Sequence, residues 1–233
     1  LEQMVEPLGP ITFDEAVHYF KEWVEVVANA GCDLILFETF SDIRELKAAV
    51  IAAREVTKDI PIQAQLTYDG GKQTVSGTPP DVAAVTLSAL DVQIIGTNCS
   101  TGPEDLIDVV KKCYEVTNKY ISVLPNAGMP ELVKGKMVFK ATPASMAKVV
   151  PSFVKNGANI IGGCCGTTPD HIVAIKKVLK GSKPVARKRS LPFTLSSRTA
   201  FFRYDEEKRP FVIGERINPT GKKLLSQELV EGK

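Results

Sequence analysis

Three of the five cysteines follow short apolar runs that are typical of buried strands. Cys99 lies in the stretch GTNCS, and Cys164 and Cys165 are adjacent in NIIGGCCGTTPDH (159–171). The separation between Cys99 and the pair is not a zinc-finger spacing, so spacing alone is weak evidence for a metal. If folding brings the three thiolates to one rim, they leave the fourth position of a tetrahedral zinc ion open, as in catalytic sites. Such a site would bind a substrate thiol, lower its pKa from about 8.5 and keep it nucleophilic.

The residues around the cysteine pair predict a strand, a glycine turn and the start of a helix. Thr168 can cap the helix, Pro169 suits its first position, and Asp170 suits the positive end of the helix dipole. Gly181 is expected to end it. A thiol held just before a helix N-terminus ionises more easily, so this arrangement favours two thiolates at the end of a strand.

Other interpretations of the cysteines stay open at this point. Free cysteines are commonly small, buried, hydrophobic side chains, and the adjacent pair could instead form a redox disulfide. Cys32, between a helix end and a strand, and Cys113, inside a helix, are better explained by packing. His18 lies in the middle of a predicted helix and is a poor ligand candidate, whereas His171 could at most support a ligand.

Two further polar side chains lie at the ends of predicted strands. Glu38 follows the run Leu34–Phe37, where a carboxylate could hold a ligand ammonium, cap a helix or form a salt bridge at the rim. Asn126 lies in a Pro-Asn-Ala-Gly turn. It could orient the polar end of a ligand, or it could be a turn residue that tolerates left-handed geometry.

Short apolar strands and amphipathic helices alternate five times along the chain. The strands begin near residues 34, 60, 92, 120 and 159. The helices are predicted to begin at a capping box at Thr12-Phe-Asp-Glu15 and then near Ser41 or Asp42, Thr78, Pro103, Thr142 and Thr168. Continuously apolar strands are expected when helices cover both faces of a parallel sheet, so the sequence predicts an α/β fold.

An open doubly wound sheet and a closed (β/α)8 TIM barrel both fit this alternation. A barrel gathers its strand ends around one mouth, whereas an open sheet spreads them along a line. Because the thiols come from non-neighbouring units, their convergence favours the barrel. Five units would leave two unpaired parallel edges, so we expect the last five units of a barrel, with about three units preceding Leu1.

Composition narrows the classes of partner. The 233 residues are 44% hydrophobic with a formal net charge of +2, which allows one large α/β domain and gives no reason to expect nucleic acid or a membrane. No apolar run is long enough to span a bilayer, and the first residues lack a secretion-signal core. The odd number of cysteines at low density favours a reducing compartment, so a cytoplasmic location is expected.

After residue 181 the alternation stops. Residues 182–210 are basic and aperiodic, which predicts an interdomain linker; the run Arg187-Lys-Arg189 could contact nucleic acid, but such runs are usually solvated. From Phe211 a strand, a glycine turn and a helix-like stretch over Leu224–Val230 predict the beginning of a second domain in residues 211–233.

Four motifs in order resemble the zinc-dependent homocysteine S-methyltransferase family over about residues 7–180. They are DLILFETFSD (33–42), GTNCS followed by Gly102-Pro103, LPNAGMP (124–130) and GGCCGTTPDHI (162–172). The segment FVIGERINPTGKKL (211–224) is similar to the start of a pterin-binding domain for methyltetrahydrofolate. That fusion resembles the cobalamin-dependent members of the family. The betaine and S-methylmethionine enzymes share the zinc motifs but not this segment.

The resemblance implies that residues 1–181 are the C-terminal part of a homocysteine-binding barrel. Glu38 matches the acid that binds the homocysteine amino group, and Asn126 falls in the strand-end turn near the zinc site. Asn218 would belong to the pterin site of the next domain. The residues that match the family's zinc ligands are Cys99, Cys164 and Cys165.

The resemblance also implies an in-line methyl transfer. Homocysteine thiolate attacks the methyl group of methylcobalamin, and methyltetrahydrofolate later remethylates the cobalamin. The partners would be the folate and cobalamin domains of the same polypeptide, so the chain alone is expected to be inactive. Two alternatives stay open: a methyltransferase that uses betaine or S-methylmethionine, and a non-catalytic zinc- or thiol-binding module.

Overall fold

The computed structural model describes residues 1–187, 189–205, 207, 209–212, 214 and 220–232. Within these ranges strands and helices alternate as the sequence predicts, and no helix is long and apolar enough to cross a membrane. The helices are α1 (Phe13–Asn29), α2 (Ile43–Val56), α3 (Pro80–Ser88), α4 (Leu106–Val116), α5 (Pro143–Lys155), α6 (Pro169–Leu179) and α7 (Lys223–Glu231). The strands are β1 (Ile35–Phe40), β2 (Ile62–Leu66), β3 (Ile94–Cys99), β4 (Tyr120–Pro125), β5 (Pro130–Val133), β6 (Lys136–Phe139), β7 (Ile160–Ile161), β8 (Thr194–Ser196) and β9 (Phe201–Arg203).

Five of the strands form one sheet in the order β1-β2-β3-β4-β7, with every neighbouring pair parallel. The carboxyl ends of all five therefore lie at one edge of the sheet. The α/β class and the five repeating units are confirmed. Closure of this sheet into a barrel by further units stays a prediction.

Side-chain caps begin three of the helices where the sequence places them. At α1, Thr12 and Glu15 form the predicted capping box, in which Glu15 N–H donates to Thr12 Oγ1 and Thr12 N–H to Glu15 Oε2. At α2 the cap is Asp42 rather than Ser41, because Asp42 Oδ1 accepts from Arg44 N–H at 2.6 Å. At α5, Thr142 Oγ1 accepts from Ser145 N–H at 3.2 Å.

The two faces of the sheet differ in chemistry. In β2 the side chains of Ile62, Ala64 and Leu66 belong to the hydrophobic core, which includes residues of α2, α3 and α4. The alternate residues Gln63 and Gln65 are equally buried, and both donate to the Ser122 hydroxyl, at 2.9 and 2.7 Å. The face opposite the helices is thus partly polar, which the apolar runs of the neighbouring strands did not predict.

Two antiparallel hairpins were not predicted. Strands β5 and β6 pair between β4 and α5, and their turn places Lys134 and Gly135 at φ 50° and 74°. This left-handed pair is typical of tight hairpin turns, and the Lys-Gly dipeptide between apolar residues was its signal in the sequence. Strands β8 and β9 pair within the segment that the sequence predicts to be a linker.

The two arginines of the basic run, Arg187 and Arg189, are packed against the sheet domain rather than solvated. Arg187 donates to the carbonyl oxygens of Lys119 and Gly157. Arg189 donates to those of Tyr114 and Thr117, and its guanidinium lies 4.0 Å from the centre of the Tyr114 ring. Both arginines therefore anchor the chain after α6 to α4 and to the loops beside β4.

Of the elements predicted after residue 210, the helix is present, whereas the start of a second domain stays a prediction. Helix α7 contains the predicted helical stretch Leu224–Val230. Phe211 and Val212 are not in a strand, and Ile213 lies outside the described residues.

We expect Arg189→Ala to lower the free energy of unfolding by about 1–3 kcal/mol, because it removes hydrogen bonds from a charged donor and a cation–π contact. The matched control is Lys183→Ala, at an exposed position in the same segment. The measurement is urea unfolding of both variants. Equal stability of the two variants would show that the Arg189 contacts add nothing to folding.

Candidate metal centre and substrate site

The three cysteines singled out by the sequence meet at the carboxyl end of the sheet. The Sγ atom of Cys99 lies 3.3 Å from that of Cys164 and 3.7 Å from that of Cys165. The Sγ atoms of Cys164 and Cys165 are 3.9 Å apart. All five cysteines of the chain are free thiols. Among the described residues, these three cysteines are the potential metal ligands whose ligand atoms lie close enough together to share one ion.

Strand β4 brings these residues together from both sides. On one side, β3 pairs Cys99 with Pro125. On the other, Cys164 N–H donates to Pro125 O at 2.8 Å, and Ala127 N–H donates to Cys165 O at 2.8 Å. The glycines before the pair continue β7 along β4, since Gly162 N–H donates to Val123 O at 3.1 Å.

The sulfur triangle fits a tetrahedral zinc ion. Zinc–sulfur bonds of about 2.3 Å in a tetrahedron separate neighbouring sulfurs by about 3.8 Å, close to the three distances given above. Three protein thiolates leave one position for a further ligand, which is the arrangement of catalytic zinc. The donor set is soft and therefore suits zinc rather than magnesium or calcium.

The surroundings of Cys99 disfavour ionisation of its thiol. Burial, followed by the hydrogen bonds and charges of Cys164 and Cys165, raises the pKa of Cys99 to about 12. Three thiolates at this separation would repel one another unless a cation lay among them. A bound metal ion provides that charge and deprotonates its thiol ligands.

The backbone beside the sulfurs is strained. Thr39, Cys99 and Ser100 have φ of 62°, 62° and 73°, a left-handed conformation that costs non-glycine residues about 1–3 kcal/mol each. Such residues cluster at functional sites, where the surroundings hold them in place. Ser100 is held from two sides, because its hydroxyl donates to Tyr68 O and its carbonyl accepts from Asn126 Nδ2 at 2.8 Å.

Asn126 joins the two cysteine-bearing loops. Besides its bond to Ser100, its Oδ1 accepts from Cys165 N–H at 3.1 Å. The amide is almost completely buried, at 6% exposure. Asn126 is thus a cross-link between the segments that carry Cys99 and Cys165, in the turn that the sequence predicted.

Glu38 lies at the same edge of the sheet, in an interruption of the β1–β2 ladder. Phe37 pairs with Ala64 and Phe40 with Leu66, so one extra residue of β1 bulges between these pairs. Bulges of this kind redirect a side chain next to an active site. Glu38 is exposed, and within the described ranges its carboxylate makes no hydrogen bond or ion pair.

Asn98 was not predicted as a site residue, although it stands beside Cys99 in the GTNCS motif. It is fully buried and contacts both Thr39 and Cys164. Asparagine beside a cysteine gave no signal by itself, because the contact with Thr39 depends on how β1 and β3 are placed across β2.

The remaining cysteines and histidines lie apart from the sulfur triangle. Cys32 and Cys113 both pack in the main hydrophobic core. His18 is exposed on α1, and its Nε2 atom lies 3.5 Å from Oε1 of Glu22. His171 is buried and contacts Thr168 and the carbonyl of Ala141 at the start of α6, not the sulfurs.

Comparison with known proteins identifies the family of this chain. Residues 2–179 match the family described as homocysteine S-methyltransferase. The chain belongs to this family.

Similar curated proteins include the methionine synthases of Mycobacterium tuberculosis and Mycobacterium leprae. The first is 30% identical over 207 residues, which are 87% of this chain and 17% of that protein; the second is 29% identical over 212 residues. The chain therefore spans about a sixth of the length of these relatives.

Solved structures with the same fold include the homocysteine methyltransferase MmuM from Escherichia coli. Its apo form superposes with a TM-score of 0.61 at 23% identity, covering 72% of this chain and 58% of that one. Its metallated form gives a TM-score of 0.56 at 26% identity, covering 69% and 51%.

The β5–β6 hairpin closes over the loop that follows the cysteine pair. Gly166 has φ 75°, and a Cβ atom there would collide with the ring of Phe139. Gly181 has a similar φ of 81° with open space around it.

We expect Gly166→Ala to lower the free energy of unfolding by more than Gly181→Ala, which carries only the conformational cost of about 1 kcal/mol. The double variant Phe139→Ala/Gly166→Ala should regain part of the difference, since the collision is removed. Thermal unfolding of the three variants is the measurement. Identical losses at Gly166 and Gly181 would show that contact with Phe139 is unimportant.

Proposed function

We propose that residues 1–181 form a homocysteine-binding domain in which Cys99, Cys164 and Cys165 hold a zinc ion that activates the thiol of homocysteine as a methyl acceptor. The observation that carries the proposal is the triangle of three free thiols at the strand ends of a homocysteine S-methyltransferase family member. The existence of a metallated form of MmuM, which has the same fold, supports a bound metal.

Each side chain then has a distinct task. Zinc, when bound, supplies a Lewis acid that lowers the pKa of the substrate thiol, so that a thiolate is available near neutral pH. The exposed Glu38 carboxylate binds the ammonium group of homocysteine and orients the molecule. Asn126 keeps the segments of Cys99 and Cys165 together. The thiol loses its proton to solvent, and its sulfur attacks the methyl carbon of the donor as the bond between donor and methyl breaks.

The donor we propose is methylcobalamin, which methyltetrahydrofolate regenerates. The likeness to mycobacterial methionine synthases supports it, as does the pterin-domain motif of residues 211–224. Asn218, proposed for the pterin site, lies outside the described residues. The folate and cobalamin domains of the same polypeptide, in the cytoplasm, would be the partners of residues 1–181. The linker role of residues 182–210 stays part of this proposal.

We expect the protein to bind about one zinc per chain, coordinated by three sulfurs that become four when homocysteine is added. Cys99→Ser, Cys164→Ser and Cys165→Ser should each lose most of this zinc, whereas the matched control Cys32→Ser should retain it. Metal analysis and X-ray absorption at the zinc edge are the measurements.

A saturated fourth protein ligand, unchanged by homocysteine, would instead identify a non-catalytic zinc module. Lack of zinc both in this chain and in one extended by three preceding βα units would contradict the metal site altogether.

The donor is tested in a longer protein that contains the whole of the folate and cobalamin domains. We expect methionine formation from homocysteine and methyltetrahydrofolate to require cobalamin, because methylcobalamin is the methyl donor that we propose. Turnover with betaine or S-methylmethionine in the absence of cobalamin would favour the alternative donors. The control is a Cys164→Ser variant, which should be inactive with every donor.

A further inference from the structure

We propose that Asn98 is a positioning residue that holds the turn carrying Glu38 and the sulfur of Cys164 in one fixed arrangement. This inference rests on the proposed function, because it assigns Glu38 to the amino group and Cys164 to the metal. It adds a residue that connects the turn of Glu38 to the metal ligand Cys164.

The amide of Asn98 has three contacts, which use all of its donors. Oδ1 accepts from Thr39 N–H at 2.8 Å. Nδ2 donates to Thr39 Oγ1 at 2.6 Å and to Cys164 Sγ at 3.7 Å. The orientation of the amide is fixed, because the backbone N–H of Thr39 can only donate and must therefore face the oxygen.

The two bonds to Thr39 hold a conformation that threonine avoids. Thr39 has φ 62°, where a β-branched side chain is a genuine outlier. It follows Glu38 in the β1 bulge, so its conformation sets the direction in which the Glu38 side chain leaves the sheet. Without the amide of Asn98, Thr39 can relax toward negative φ and turn Glu38 away.

The contact with Cys164 acts on the metal ligand. An N–H group directed at a thiolate withdraws some of its charge and fixes the position of the sulfur, as hydrogen bonds around metal ligands commonly do. Asn98 is completely buried, so in the intact protein this donor does not exchange with solvent.

The test compares Asn98→Ala with two readouts that do not need turnover. One is the zinc affinity and the sulfur-to-metal charge-transfer band of the cobalt-substituted protein. The other is the preference for L-homocysteine over 4-mercaptobutyrate, which has the same thiol and carboxylate but no amine. We expect zinc affinity to fall about tenfold, the band to shift, and the preference to fall to that of Glu38→Gln.

A double variant separates the effect of Asn98 on Thr39 from its effect on Cys164. Glycine adopts positive φ without strain, so Thr39→Gly/Asn98→Ala should recover part of the preference for homocysteine while the cobalt band stays shifted. The matched control is Asn118→Ala, which removes another asparagine bond to backbone, that of Asn118 Nδ2 with Arg189 O at 2.9 Å, near the amino end of β4. It should change neither readout.

If Asn98→Ala does not fold, Thr39→Val tests the same turn at an exposed position. It removes the hydrogen bond from Asn98 Nδ2 to Thr39 Oγ1, so the preference for homocysteine should fall about threefold. Unchanged readouts in folded Asn98→Ala, or an unchanged preference in Thr39→Val, would overturn the proposal. Failure of the proposed function is distinguishable, because the wild-type protein would then show no preference for homocysteine and Glu38→Gln would have no effect.

Discussion

The central position of β4 between two cysteine-bearing strand ends determines the whole site. Parallel pairing on both sides brings Cys99 and Cys164 against the same residue, Pro125. Proline has no N–H to donate, so its carbonyl is the group through which the ladder continues to Cys164. The sulfur triangle therefore follows from the register of two strand pairs, with no contribution from sequence proximity between Cys99 and the pair.

Buried amides hold this edge in a conformation that the backbone alone would not keep. Asn98 and Asn126 each connect segments from different strands, and both are almost completely shielded from water. A buried amide is costly unless its hydrogen bonds are made, so each of these residues favours one arrangement of its partners. The carboxyl ends of β1, β3, β4 and β7 are tied in this way, which offsets the strain at Thr39, Cys99 and Ser100.

The sequence was sufficient for the elements whose signals are local. Capping residues and apolar periodicity predicted helices α1, α2 and α6 closely, and the types of Cys99, Cys164 and Cys165 indicated a thiol site before any fold was known. Contacts between distant segments were not predictable, because they depend on strand register. The amide of Asn98 and the anchoring of Arg189 belong to this second class, as does the Phe139 ring over Gly166.

The strand that precedes the cysteine pair, β7, is also the shortest of the sheet. Strand β7 has two residues in register with β4, whereas β3 has six. Local opening free energies follow the number of contacts that must be broken, so residues 159–165 should open more readily than the rest of the sheet. A ligand that binds only the closed form withdraws this segment from the opening equilibrium. Occupancy of the sulfur triangle would then be recorded in the backbone as well, as slower amide exchange along β7 and the loop that follows it.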